Sequence, residues 1–185
     1  MKKALILALL ILSALPALPA ERIKVGPCAG YFRPGDRLFR EVYGDGYLIY
    51  GGRFGVRIIQ GISFWLSYSQ YRAVGQTTFT HERTTITLNP VNASLRFNLQ
   101  IAFFRPYVAA GYTYLKFREA SAIGSVKDHG ENFSGDAGFE IRFSPQVFWD
   151  IGARFELIKV KAGSPDVGSI DLGGLQFGTS FNIGF

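Results

Sequence analysis

The chain has 185 residues, 15% of them aromatic, with 22 glycines and a single cysteine. Its formal charge is +6, or about +4 once Lys2 and Lys3 are set aside, and the basic residues are scattered, which argues against nucleic-acid binding. The length suits one domain, and Cys28 alone cannot form an intrachain disulfide.

At the amino end, Lys2 and Lys3 precede an apolar run from Ala4 to Leu15 and then small, proline-rich residues up to Ala20. That is the anatomy of a secretory leader, with cleavage expected after Ala20, or alternatively after Ala17, and a mature domain over 21–185. No later stretch reaches the apolar length of a spanning helix, so a membrane-crossing mature chain must cross as a β-barrel. Val25-Gly26-Pro27 does not resemble a lipoprotein processing site, and Cys28 reads as a small buried residue.

A first strand is expected where Ile23, Val25, Ala29 and Tyr31 alternate with Lys24, Gly26, Cys28 and Gly30, although Pro27 lacks a ladder donor. The segment Arg33 to Gly46 breaks the alternation. Within it Asp36 is suited to cap one helical turn with Leu38, Phe39, Val42 and Tyr43 on a shared face and Gly44 as its stop.

The second strand runs from Tyr47 to Ile59, with Leu48, Tyr50, Phe54, Val56 and Ile58 opposing Arg53, Gly55 and Arg57. Gln60-Gly61 forms a tight turn into a third strand, where Ile62, Phe64, Leu66 and Tyr68 oppose Ser63, Ser67 and Ser69. Arg72 to Arg83 reads as an irregular polar connection. In the fourth strand Val91, Ala93, Leu95 and Phe97 alternate with Asn92, Ser94, Arg96 and Asn98, and Pro90 is expected at a bulge or at its irregular upper end.

The fifth strand spans Tyr107 to about Phe117, and Arg118 to Asn132 is read as a long polar loop. The sixth strand sets Ala137, Phe139, Ile141 and Phe143 against Asp136, Glu140 and Arg142. After a Ser144-Pro145-Gln146 turn, the seventh sets Trp149, Ile151, Ala153, Phe155 and Leu157 against Asp150, Gly152, Arg154 and Glu156. A loop around Lys161 to Gly168 leads to the last strand, where Leu175, Phe177, Phe181, Ile183 and Phe185 share one parity.

Eight strands with long connections after the odd-numbered ones and short turns after the even-numbered ones match the asymmetry of outer-membrane barrels, with both termini periplasmic. Gln176, Gly178, Phe181, Ile183 and the terminal Phe185 also match the carboxy-terminal signal of such barrels, polar-x-Gly-x-x-apolar-x-apolar-x-aromatic. On these residues the chain resembles the small eight-stranded outer-membrane barrels of the OmpA/OmpX type. The resemblance implies an all-β, closed, antiparallel up-and-down transmembrane barrel. It also implies outer-membrane lipid and the barrel-assembly machinery as partners, the latter through the last strand. Some relatives carry a peptidoglycan-binding domain after the barrel; with nothing following the last strand, none is expected here.

The polar parity carries Lys24, Arg53, Arg57, Arg96, Arg142 and Arg154 together with Asp136, Glu140, Asp150 and Glu156, among Gly, Ser and Asn. Both signs of charge with small residues suit the packed, ion-paired interior of a narrow barrel, with the apolar parity turned to lipid. Three functions follow from this reading. The favoured one is a non-enzymatic barrel with a side-chain-filled interior and external loops for surface or lipid interaction. A narrow small-solute channel, anion-preferring because of its interior arginines, is the alternative.

A lipid-modifying enzyme is the third. His81 beside Glu82, or His129 beside Asp128 and near Glu131, would then orient Thr80, Ser121 or Ser125, although no His-x-Ser pair of the deacylase kind is present. No cofactor is expected. Two histidines and one cysteine on different parts of the chain do not make a metal-ligand set, and Asp128 to Glu131 lacks a calcium-loop pattern.

Overall fold

The computed structural model describes residues 22–76, 83–101, 103–121, 124–161 and 169–185. The expected leader lies outside the described residues, as do Thr80, His81 and Glu82. Strands β1 (Ile23–Pro34), β2 (Tyr47–Ile59), β3 (Ile62–Gln76), β4 (Arg83–Asn98), β5 (Phe104–Ser121), β6 (Gly124–Arg142), β7 (Val147–Glu156) and β10 (Gly174–Gly184) close into a barrel in the order β1-β10-β7-β6-β5-β4-β3-β2. Every neighbouring pair is antiparallel, and β1 closes on both β10 and β2. Closure leaves no free sheet edge, which is the condition for placing strands in lipid.

Side chains sort by parity. Tyr50, Phe54, Phe64, Leu66, Tyr68, Leu95, Phe97, Val108, Phe177, Phe181 and Ile183 are exposed on the outside. Ser63, Ser67, Asn92, Ser94, Arg96, Asp136, Glu140, Asp150, Ser180 and Asn182 are buried inside. An apolar exterior around a lumen that holds the buried charges is the reverse of a water-soluble barrel.

The connections at one end differ from the sequence reading. Arg118 to Asn132 is not a loop, because β5 and β6 stay paired from Phe104↔Ile141 as far as Ser121↔Gly124. Likewise β3 continues to Gln76 and β4 begins at Arg83. In both hairpins the segment beyond the apolar band is polar on its outward face, so the alternation that marks a strand disappears while backbone pairing continues. Pro90 does not mark a strand end. It lies within β4, inside the barrel, and the β3–β4 register is unshifted across it. The irregularity falls instead between Arg57 and Ile59.

Between β1 and β2, helix α1 (Arg37–Tyr43) starts where the Asp36 carboxylate accepts the Phe39 N–H at 2.9 Å and stops at Gly44, whose φ is +100°. Phe39 and Tyr43 pack inward, ring on ring at 4.8 Å, whereas Leu38 is exposed on the other side and does not share their face. The helix lies against β3 at Gly75, where a Cβ would stand 2.1 Å from the Val42 carbonyl oxygen. The connection after β7 holds a short hairpin, β8 (Lys159–Lys161) with β9 (Ser169–Asp171).

Candidate functional site

Charge is concentrated in the half of the lumen nearest the termini. Asp150 on β7 is its hub, accepting Arg53 of β2 at 2.7 Å, Arg96 of β4, and the Tyr107 hydroxyl of β5 at 3.0 Å. No two of β2, β4 and β7 are neighbours in the barrel, so Arg53, Arg96 and Asp150 meet across the lumen, while Tyr107 on β5 adjoins Arg96 on β4. The Arg96 guanidinium, with 1% of its side chain exposed, sits 3.6 Å from the Tyr107 ring centroid and 4.4 Å from that of Trp65. Delocalised, weakly hydrated guanidinium is the cation best suited to such aromatic faces.

Two further clusters flank the hub. Toward the termini, Glu140 accepts Lys24 at 2.6 Å and Arg105 at 3.5 Å, and Lys24 also rests 3.8 Å from the Phe148 ring. In the other direction, Arg154 grips Asp136 in a two-pronged contact of 2.6 and 3.1 Å and reaches Glu156 at 3.8 Å. Glu156 takes the Thr113 hydroxyl, and Asn92 bridges Thr113 and Ser134. Gly152 keeps the wall thin opposite the hub, since a Cβ there would come within 2.4 Å of the Tyr107 hydroxyl.

Of the residues named from sequence, Arg53, Arg96, Asp136, Glu140, Asp150, Arg154 and Glu156 are brought together in these clusters, and Lys24 joins Glu140. Arg57 lines a small cavity beside Lys24, Arg105 and Glu140. Arg142 lies at the rim, donating from Nε to the Ser144 carbonyl at 3.2 Å. Arg105, Trp65, Tyr107 and Phe148 were missed. Trp65 shares the inward parity of β3, whose polar face is marked in the sequence only by serines, and Tyr107 lies on β5, whose faces the sequence does not distinguish; Arg105 and Phe148 precede the residues that mark the fifth and seventh strands in the sequence.

A second layer was missed as well. Above the charged region the lumen is filled by Phe32, Ile49, Tyr71, Ala73, Ile86, Leu88, Leu115, Ile158 and Leu172, onto which Phe39 of α1 closes. Tyr71 lies between Phe32 and Tyr47, at 5.1 and 5.7 Å. At the mouth the Tyr43 hydroxyl donates to Glu119, with Thr84 alongside. Burial and this carboxylate hold the Tyr43 phenol protonated well above its usual range.

Among the described residues two small cavities lie inside, of about 40 Å³ beside Cys28, Arg53 and Arg154 and about 30 Å³ beside Lys24 and Glu140. Such volumes hold a few waters, on the scale of 10–15 Å³ needed for one. Cys28 faces the first of them, half-buried.

The nucleophile–histidine sets are not assembled among the described residues. His129 is exposed on β6, with Nδ1 3.5 Å from Asp128 and its ring 5.6 Å from Tyr114. Ser125 lies four residues away on the same strand, or about 13 Å at the usual rise. Among the described residues no cluster of metal-ligating side chains is found.

The family model for the outer membrane protein beta-barrel domain matches residues 4–185. A comparison with proteins of curated function finds no match. Among solved structures, the fold is similar to Neisserial surface protein A, with a TM-score of 0.70 at 15% identity over 91% of this chain and all of that one. It is also similar to the amino-terminal barrel domain of Pseudomonas aeruginosa OprF (TM-score 0.59, 15% identity, 90% of this chain and all of that one). E. coli outer membrane protein W gives 0.57 at 17% identity, with 90% and 98% covered.

Proposed function

Because the chain belongs to the outer membrane protein beta-barrel domain family, we propose that it serves in the outer membrane as a closed, non-enzymatic scaffold whose lumen conducts no solute and whose outward end makes its contacts. The observation that carries this reading is the double filling of the lumen. A buried ion-paired layer around Asp150 is followed by an apolar plug under α1. An eight-stranded barrel is just wide enough to be filled by its own side chains, and here both layers reach across it.

In this reading the leader is removed after Ala20, both termini and the short turns are periplasmic, and the extended β3–β4 and β5–β6 hairpins project outward. Gln176, Gly178, Phe181, Ile183 and Phe185 form the recognition strand for the assembly machinery. The charged clusters serve structure, since each buried carboxylate has a cationic partner. Exposed His129, with Ser125 about 13 Å along the strand, supports a surface role over catalysis.

The test is solute flux. Liposomes containing the refolded mature chain, with folding verified by heat-modifiable migration, are expected to exclude arabinose and chloride as well as protein-free liposomes do. Swelling or chloride efflux that scales with protein content would refute the closed scaffold and favour the channel.

A further inference from the structure

The outward face of the two long hairpins carries a second charge arrangement, separate from the lumen. Strand register places Arg72, Thr87, Arg118 and Lys127 in one row across β3, β4, β5 and β6. Two residues down the strands, Lys116 and His129 are opposite each other, and two further down Tyr114 faces Glu131. Arg72, Lys116, Arg118, Lys127 and His129 are all exposed.

Arg118 and Lys127 are direct cross-strand partners on the same face, and like charges so placed destabilise a sheet. Among the described residues neither of them, nor Arg72, has an ion-pair partner. Folding gains nothing from this row, so an external anion is the natural complement.

The height of the row says which anion. The outward residues of β5 from Phe104 to Tyr114 span ten residues, and at about 3.3 Å per residue with a tilt of about 40° they cover about 25 Å, the height of the apolar band in such barrels. Lys116 and Arg118 follow within about 10 Å above that band, at headgroup level. Immediately below lie exposed Tyr68, Tyr112 and Phe133, the last two edge-to-face at 5.7 Å. An acidic protein partner would have no use for this aromatic step; a lipid has its chains there.

We propose that Arg72, Lys116, Arg118 and Lys127 bind the phosphates of an anionic glycolipid of the outer leaflet. This rests on the proposed orientation, in which the long hairpins face outward. The Arg118 fork and the Lys127 ammonium, on adjacent strands about 5 Å apart, close on one phosphate. Arg72, two strands from Arg118, is placed for another. Glu131, on the same face, sets the lower limit of the site.

The experiment uses the mature chain in phosphatidylcholine vesicles holding a spin-labelled bis-phosphorylated glycolipid, with the motionally restricted fraction read by electron paramagnetic resonance. Preferential association over the dephosphorylated glycolipid is expected. Arg118→Gln or Lys127→Gln should each lower it about fivefold, the change that ~1 kcal/mol per basic residue at an anionic surface gives, and Glu131→Gln should raise it. Equal association of both glycolipids, or indifference to all three substitutions, would overturn the site. Displacement by millimolar inorganic phosphate would overturn the lipid assignment in favour of a free-anion site. A parent that fails to insert, shown by migration unaffected by heating, would refute the membrane reading beneath the proposal and the proposal with it.

Discussion

Replacing Asp150 by alanine removes the carboxylate that two buried guanidinium groups share. Arg96, with 1% of its side chain exposed, would keep only the Tyr107 and Trp65 rings for company, at 3.6 and 4.4 Å. The other carboxylates are already engaged, Asp136 by Arg154 and Glu140 by Lys24 and Arg105. Removing one partner of a buried ion pair costs about 3–5 kcal/mol, whereas replacing the whole set by apolar residues of similar volume is often near neutral. Asp150→Ala should therefore destabilise the barrel by ~4 kcal/mol. The triple variant Arg53→Met, Arg96→Met, Asp150→Leu should stay within ~1 kcal/mol of the parent. Urea titration in lipid vesicles measures both, with Trp65 fluorescence reporting directly on the Arg96 environment. A loss below ~1 kcal/mol for Asp150→Ala would mean that water solvates the two arginines, and the account of a filled, ion-paired lumen would be wrong.

Leu115→Ala, in the apolar plug, should cost about 2–5 kcal/mol in the same titration, while lipid-facing Leu95→Ala should cost much less. Equal losses would contradict the placement of a core inside the lumen. Gly75→Val should displace α1 from β3, giving proteolysis within residues 37–43 with the barrel still heat-modifiable; an unchanged digestion pattern would count against that seat. The folded-state pKa of Tyr43 lies above its unfolded value, so the stability it contributes is fully present below about pH 10 and is lost as pH rises through the folded value. In an ultraviolet pH titration Tyr43→Phe should remove a late-ionising phenol, and loss of an early one would refute the Glu119 contact. Deleting Phe185, whose N–H and carbonyl bond to Ile23, should lower the yield of assembled barrel in cells more than refolding in detergent. Equal effects would locate its role in stability alone.

The barrel was legible in the sequence because its lipid-facing side chains alternate strictly. On β2, Leu48, Tyr50 and Phe54 mark the outer face without reference to any other strand. The inward charges were legible for the same reason, since Arg53, Arg96 and Asp150 interrupt apolar runs at every second position. Which of them meet was not legible, because Arg53, Arg96, Tyr107 and Asp150 come from four strands and converge only when the sheet closes. The apolar plug was hidden by a change of pattern. Leu88 and Leu115 keep the inward parity, but there both faces lose the contrast that periodicity relies on, and the outward face becomes polar above the apolar band. The same loss of contrast turned the β5–β6 extension into an expected loop. Helix α1 was foreshadowed by Asp36 and Gly44, but Leu38 was assigned to the wrong side, because a single turn offers too few residues to fix a face.

The claim of a closed scaffold is tested most directly by recording current across a planar lipid bilayer that contains the refolded mature chain, beside the Asp150→Ala and Leu115→Ala variants. The account predicts a silent parent and conductance, if any, confined to variants that disrupt one of the two layers. Steady unitary channels in the parent that change in size or anion preference with Asp150→Ala would show an open lumen and contradict it.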